Sequence, residues 1–249
     1  MLTQPLIVAR KEIRDHLRDT RSMVSSAFYA LMGPLVVGMV SFATRGLKSS
    51  VVLLSMLSVF ALVAAFVGGM NVAIDSIAGE RERRSLLPLL MNPLLRRDVV
   101  FGKWLGISFF AIAGVVLNLL GFAIVVALSP AQLLMVTLTL VPLALFASSL
   151  ELLISTWCRN VKEAHTYLSL IVFLPMGLGM FLVFFPKIAT AWLILPMAGQ
   201  QMLIDLLMKG GQIALLPVLA LIITTLASTA AFLAIAARLL HRDDVVYGG

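Results

Sequence analysis

VVLLSMLSVFALVAAFVGGMNVAIDSI, residues 51–77, stays apolar for longer than the roughly 20 helical residues needed to cross a hydrocarbon core of about 30 Å. Asp75, close to its end, is its one ionisable residue. Directly afterwards the chain becomes GERERRSLLPLLMNPLLRRDVVFGK, residues 79–103, the longest strongly charged segment present. The period-two alternation of a membrane β-barrel strand is absent, so the apolar run reads as a spanning helix and the charged segment as a loop outside the bilayer.

Five more runs read the same way, at 22–43, 104–128, 131–157, 164–185 and 212–237. The runs at 51–77 and 131–157 are long enough to tilt or project. With 61% apolar residues, 12% charged residues and a mean hydropathy of +1.05, the chain lies outside the range of soluble domains. The predicted fold class is an all-α membrane protein with six transmembrane helices, forming one domain over 1–249 without a fixed repeat. Residues 1–21 are expected to form an amphipathic helix along the membrane surface. Leu6, Ala9, Ile13 and Leu17 would lie on one face, and Arg10, Arg14, Arg18 and Arg21 on another. Glu12, Asp15 and Asp19 interleave with those arginines, unlike a cleavable signal peptide, so this helix is expected to remain on the mature protein. Segment 186–211 is too apolar for a water-exposed loop and is broken by Pro186 and Pro196. It reads as a re-entrant pair of short helices in the outer leaflet, or alternatively as one interfacial helix.

Of the 19 Lys and Arg residues, all but Arg45, Lys48, Lys187 and Lys209 fall on one side of this topology. The positive-inside rule then places both termini and the 79–103 loop in the cytoplasm. The net charge of +7 follows from residues flanking the apolar runs and does not indicate nucleic-acid binding. Cys158 is the sole cysteine, which excludes an intramolecular disulfide.

Ionisable groups within spans are costly and therefore draw functional hypotheses. Asp75 either pairs structurally with Arg83 or Arg84, or serves a translocation path. Glu151, near Ser148, Ser149 and Ser155, either faces such a path or bonds to a neighbouring span. In 186–211, Gln200, Gln201 and Asp205 either line an outer gate, where their oxygens suit a cation, or sit at the exposed rim. Asn71 and Asn118 are expected to bond between helices. His16, His165 and His241 are too scattered for a metal site. Neither GxSxG nor GxxxxGK[ST] occurs, so neither serine hydrolysis nor P-loop nucleotide binding is indicated.

A plain connection between two spans needs only a few residues, so 79–103 is expected to contain a short amphipathic helix whose apolar side is covered by lipid or a soluble partner. Gly79-Glu80-Arg81-Glu82-Arg83-Arg84-Ser85-Leu86, then Leu89-Leu90, Pro93, Arg96-Arg97, Val99 and Gly102-Lys103, resembles the GERERGTLE-xLL-xxP-xSRR-xI-xxGK signature of type-2 ABC transporter permeases. The amphipathic amino-terminal helix, six spans and broken outer segment are similar too. The pattern departs at Pro88, where the family usually has glutamate, and at Leu94-Leu95. Pro88 removes a backbone donor and restricts Leu87, so the helix in this loop starts later or kinks there.

The resemblance implies that 79–103 is a coupling loop docking on a cytoplasmic ABC ATPase. Glu80, Glu82, Arg83 and Arg84 would be its charged handles, and Leu86, Leu87, Leu89 and Leu90 its packed face. It implies two ATPase copies carrying ATP and Mg, a second permease chain as homodimer or heterodimer, and residence in the cell inner (plasma) membrane. This chain would bind no cofactor or metal and would not be an enzyme. Residues 195–210 are similar to the sodium-efflux, Nat-type branch, which points to export of sodium or a small hydrophobic or amphipathic compound. Two other classes remain open: an ion-gradient-driven carrier using Asp75 or Glu151, and a non-transporting membrane scaffold.

Overall fold

A computed structural model describes residues 3–43, 51–86, 88, 91, 95–126, 128–185, 190–209 and 215–241. Helices α1 (Thr3–Arg18) and α2 (Thr20–Ala43) are followed by α3 (Val51–Ala73), which runs on through a π-helical turn (Ile74–Gly79) and a short α-helical turn (Glu80–Glu82). Then come α4 (Arg96–Val126), α5 (Pro130–Trp157), α6 (Val161–Phe184), a 3₁₀ turn (Thr190–Ile194), α7 (Ala198–Met208) and α8 (Leu215–Leu239). No strand occurs among the described residues, and six helices are long and apolar enough to cross a membrane.

Helix α3 is the hub. Its most apolar window is 83% buried, against 17–44% for the other five spans, and it touches α2, α4, α5, α6 and α7. Lipid-length helices in this arrangement present their remaining apolar surface outward, as Phe42, Phe173, Phe184, Leu216 and Ile223 do. Phe66, Ala111, Phe122, Leu140 and Leu143 form the larger buried cluster; Ile77, Leu86, Trp104, Leu152 and Leu240 belong to a second cluster under the charged end. Close crossing of α3 and α4 depends on Gly68 and Gly114. A Cβ on Gly68 would lie 2.9 Å from the Phe110 carbonyl oxygen, and one on Gly114 2.9 Å from the Gly68 Cα. Small residues at such crossings let backbones approach where apolar transfer gives little driving force.

Local sequence sets the helix ends. Ser129 and Gln132 form a capping box, and Pro130 occupies the first turn, so α5 begins almost directly after α4. Asn160 caps α6 by accepting the Glu163 N–H at 2.8 Å.

Two expectations are revised. Helix α4 begins at Arg96, before the apolar run that starts near Trp104, and the helix beginning at Val51 continues to Glu82. Apolarity marks where lipid ends, whereas backbone hydrogen bonding lets the helices continue past it. The charged segment is therefore largely two helix ends joined by a linker. Within that linker Leu86 and Pro88 have helical backbone, while Leu87, Leu89, Leu90 and Pro93 lie outside the described residues. Helix α1 buries Pro5, Val8, Ala9 and His16 against the bundle, chiefly α4, and leaves Leu6 and Leu17 exposed. For a helix at a bilayer, the leucine side can be the outward one.

Candidate functional site

The charged end is organised by the π-helical turn. A π turn admits one extra residue and leaves backbone groups to be satisfied elsewhere. Here the Ala78 N–H donates to Ser155 Oγ of α5 at 3.2 Å. Glu80 follows directly and points inward, at 7% exposure. Its carboxylate meets the Lys103 ammonium at 2.9 Å and the Lys11 ammonium at 3.2 Å.

Lys103 is fully buried. Besides Glu80 it contacts Glu12 Oε1 at 2.9 Å and donates to the Ser76 carbonyl at 2.6 Å. Two ammonium groups and two carboxylates thus join α1, the end of α3 and the start of α4, with opposite charges matched as buried ions require. Gly102 makes the approach of α1 possible, since a Cβ there would lie 2.6 Å from the Pro5 carbonyl oxygen and from Val8 Cβ. Burial pulls the Lys11 pKa down, but Glu80, Glu12 and Asp15 outweigh it and hold the ammonium above its ordinary value.

Arginines at this end act on main-chain groups. Arg81 donates to the Thr156 carbonyl at 2.9 Å and to the Cys158 carbonyl, which are orphan acceptors where α5 ends. Arg96 donates to the Leu240 carbonyl beyond α8. Glu82 accepts the Val161 N–H at 2.9 Å, at the start of α6. Arg83 pairs with Asp75 at 3.7 Å. The turn ends in a Schellman pattern, with Ser85 N–H donating to Glu80 O and Arg84 N–H to Arg81 O; Arg84 takes the left-handed position at φ 56°.

Between α1 and this turn lies a polar cavity of about 350 Å³, lined by Asp15, His16, Asp19, Asp75 and Arg83 among others. Burial holds the His16 pKa below its ordinary value, against the nearby Asp75, Asp19 and Glu12 carboxylates. His16 also meets Ser22 Oγ at 3.2 Å and the edge of Phe110.

The candidate gate residues all lie on α7 but divide between neighbours. Gln200 donates to Thr225 Oγ1 of α8 at 2.9 Å, and Gln201 donates to Ser58 Oγ of α3 at 2.7 Å. Asp205 accepts Ser55 Oγ at 2.8 Å and pairs with Lys209. Both glutamines are buried. Glu151 is elsewhere, 1% exposed on α5. Its Oε2 is packed against Gly69, 2.9 Å from where a Cβ would sit, and has no hydrogen-bond partner among the described residues. Asp75, Glu151 and Asp205 therefore occupy three separate environments. Asn71 bridges to Ser25 and Ser26, and Asn118 to the Ala30 carbonyl, both between helices.

Sequence reasoning did not single out Lys11, Glu12, Arg81 or Lys103 as site residues. Gly102 directly before Lys103 was the available signal for the latter, because a glycine beside a buried cation marks a close helix approach. The Arg81 and Arg96 contacts carry no sequence signal, since their acceptors are carbonyls far along the chain.

The profile described as "ABC-2 family transporter protein" matches residues 6–245. The chain is 35% identical over 150 residues to the ABC transporter permease protein NatB of Bacillus subtilis (strain 168), covering 55% of this chain and 39% of NatB. It is 33% identical over 106 residues to the probable ABC transporter permease protein NosY of Pseudomonas aeruginosa, covering 40% of this chain and 37% of NosY. The matches thus span well under half the length of these curated relatives. With its six apolar helices and a family match running nearly end to end, this multi-pass membrane chain belongs to the ABC-2 transporter family.

Proposed function

We propose that the chain is the membrane-spanning permease subunit of an ATP-driven exporter, powered by two copies of a separate cytoplasmic ABC ATPase and paired with a second permease chain, identical or related. ATP and Mg belong to the ATPase, and this chain catalyses no bond change. The charged end faces the cytoplasm of the plasma membrane, and the 83–95 linker receives the ATPase.

The observation that carries this reading is the four-charge lock of Lys11, Glu12, Glu80 and Lys103. A lever must be fixed to what it moves. The lock ties the base of the linker to α1 and α4, so a push on Leu86 and its neighbours passes into the spans. Glu80 is then the anchor of the lever, Glu82 is engaged on the start of α6, and the exposed Arg83 and Arg84 are available to the ATPase. Residues 186–211 form the outer gate, with Gln200, Gln201 and Asp205 holding α7 against α3 and α8.

The similarity of 195–210 to the sodium-efflux branch makes sodium the first candidate substrate, followed by small amphipathic compounds. The test is ATP hydrolysis and solute efflux by the reconstituted complex across a panel including sodium. Stimulation by one solute, with its ATP-dependent movement, supports the reading; hydrolysis indifferent to every solute, with no transport, counts against it. The buried Glu151, whose Oε2 has no hydrogen-bond partner among the described residues, favours one alternative, a carrier driven by an ion gradient. Transport in ATP-free vesicles under a proton or sodium gradient would identify that mechanism.

A further inference from the structure

Two consecutive residues at the end of α3 hold both sides of another turn. The Arg81 guanidinium donates to the carbonyls of Thr156 and Cys158, where α5 ends. The Glu82 carboxylate accepts the N–H of Val161, where α6 begins. Each contact satisfies a main-chain group that the helix itself leaves unpaired. The signs also match: a cation sits at the negative end of α5 and an anion at the positive end of α6.

The gripped turn is stiff in its own right. Asn160 caps α6, and the Glu163 carboxylate accepts the Arg159 N–H at 2.7 Å. The Cys158 side chain is buried, while Arg159 and Lys162 are exposed. One turn back along each helix, Ala78 N–H meets Ser155 Oγ, so α3 and α5 are joined at two levels. A displacement of the α3 end without the α5–α6 turn would strand three backbone groups and two charged side chains at once.

We infer that Arg81 and Glu82 are positioning residues that make the α5–α6 turn a second transmission element, moving as one body with the end of α3 and carrying its motion into α5 and α6. This rests on the reading that an ATPase docks on the linker. The stroke then enters the bundle by two routes. One runs through Lys103 into α4 and α1, and the other through Arg81 and Glu82 into α5 and α6.

The test uses the complete complex of this chain with its co-expressed ABC ATPase, in a Cys158→Ala background. Single fluorophores are placed at Met91→Cys on the linker or Arg159→Cys on the turn, both exposed positions. Emission is compared before and after trapping with ATP and vanadate. Both probes are expected to respond. With Arg81→Ala and Glu82→Ala together, the Met91 probe should still respond and the Arg159 response should be lost. Glu82→Gln, which keeps an acceptor oxygen, should retain it, a rescue that general destabilisation would not show. Glu82→Ala alone, checked by co-purification of the ATPase, serves if the double variant does not assemble. A silent Arg159 probe beside a responding Met91 probe overturns the inference, as does an Arg159 response that survives the double variant. If the Met91 probe is silent as well, the docking reading itself falls and takes this inference with it.

Discussion

Replacing Lys103 by Met removes one ammonium from a fully buried position and leaves Glu12 and Glu80 facing each other with one cation lost. Removing one member of a buried ion pair typically costs about 3–5 kcal/mol, because the remaining charge is left desolvated and uncompensated. The lower end applies here, since Lys11 still reaches Glu80 at 3.2 Å and the two carboxylate side chains are 11% and 9% exposed. A loss of about 3 kcal/mol lowers the folded-to-unfolded ratio roughly 100-fold. The assay is reversible denaturant unfolding in detergent micelles, followed by tryptophan fluorescence, with Trp104 directly after the altered residue. Lys103→Met combined with Glu12→Gln and Glu80→Gln removes the charges together, and should recover most of the loss because no buried ion is left unpaired. A single variant within about 0.5 kcal/mol of wild type, the scale of ordinary surface substitutions, would refute the reasoning. So would a triple variant no more stable than the single one.

Three other substitutions probe separate features. Gly68→Val sets side-chain atoms against the Phe110 carbonyl and Ala111 Cα, where even a Cβ would be 2.9 and 3.0 Å away, and should cost about 1–3 kcal/mol in the same unfolding assay. Arg84→Gly relieves a left-handed residue at φ 56°, and should raise stability by up to about 1 kcal/mol, the steric relief being partly offset by a more flexible unfolded chain. His16 has its folded pKa lowered by burial, so its contribution is fully present above the ordinary value of 6.5 and is lost as pH falls from there toward the folded pKa. Unfolding midpoints measured from pH 8 to pH 5 should fall with that sign, and His16→Gln should flatten the part of the curve below pH 6.5.

The spans were legible because bilayer length imposes a long apolar run, and Asn71 and Asn118 because an amide at membrane depth needs a partner on another helix. Helix ends were less legible. Arg96 to Lys103 looks like loop by charge, yet Asp98 near the start of α4 and bonds from Asp98 and Val99 to the Leu95 carbonyl begin the helix there. Which face of α1 meets the bundle was not legible either. Lipid receives leucine as readily as a protein core does, and Glu12 and His16 are the residues with partners to meet inside. The charged stretch was conspicuous, whereas its division of labour was hidden in distant contacts. Glu80 bonds across to Lys103 and Lys11, Arg81 and Glu82 hold a turn nearly eighty residues further on, and only part of the run remains open to solvent. Asp205 was noticed for its place in an apolar segment; its i,i+4 pair with Lys209 is a local pattern, whereas its bond from Ser55 depends on how α7 packs on α3, which no local pattern encodes.

The central claim is that the linker after α3 is the seat of an ATPase. It is tested most directly by capturing the tagged chain from detergent-solubilised membranes and measuring the co-expressed ABC ATPase retained with it, with and without residues 86–90. Stoichiometric ATPase is expected with the intact chain and none with the deleted one, at equal amounts of membrane-inserted permease. Equal ATPase capture by both would contradict it.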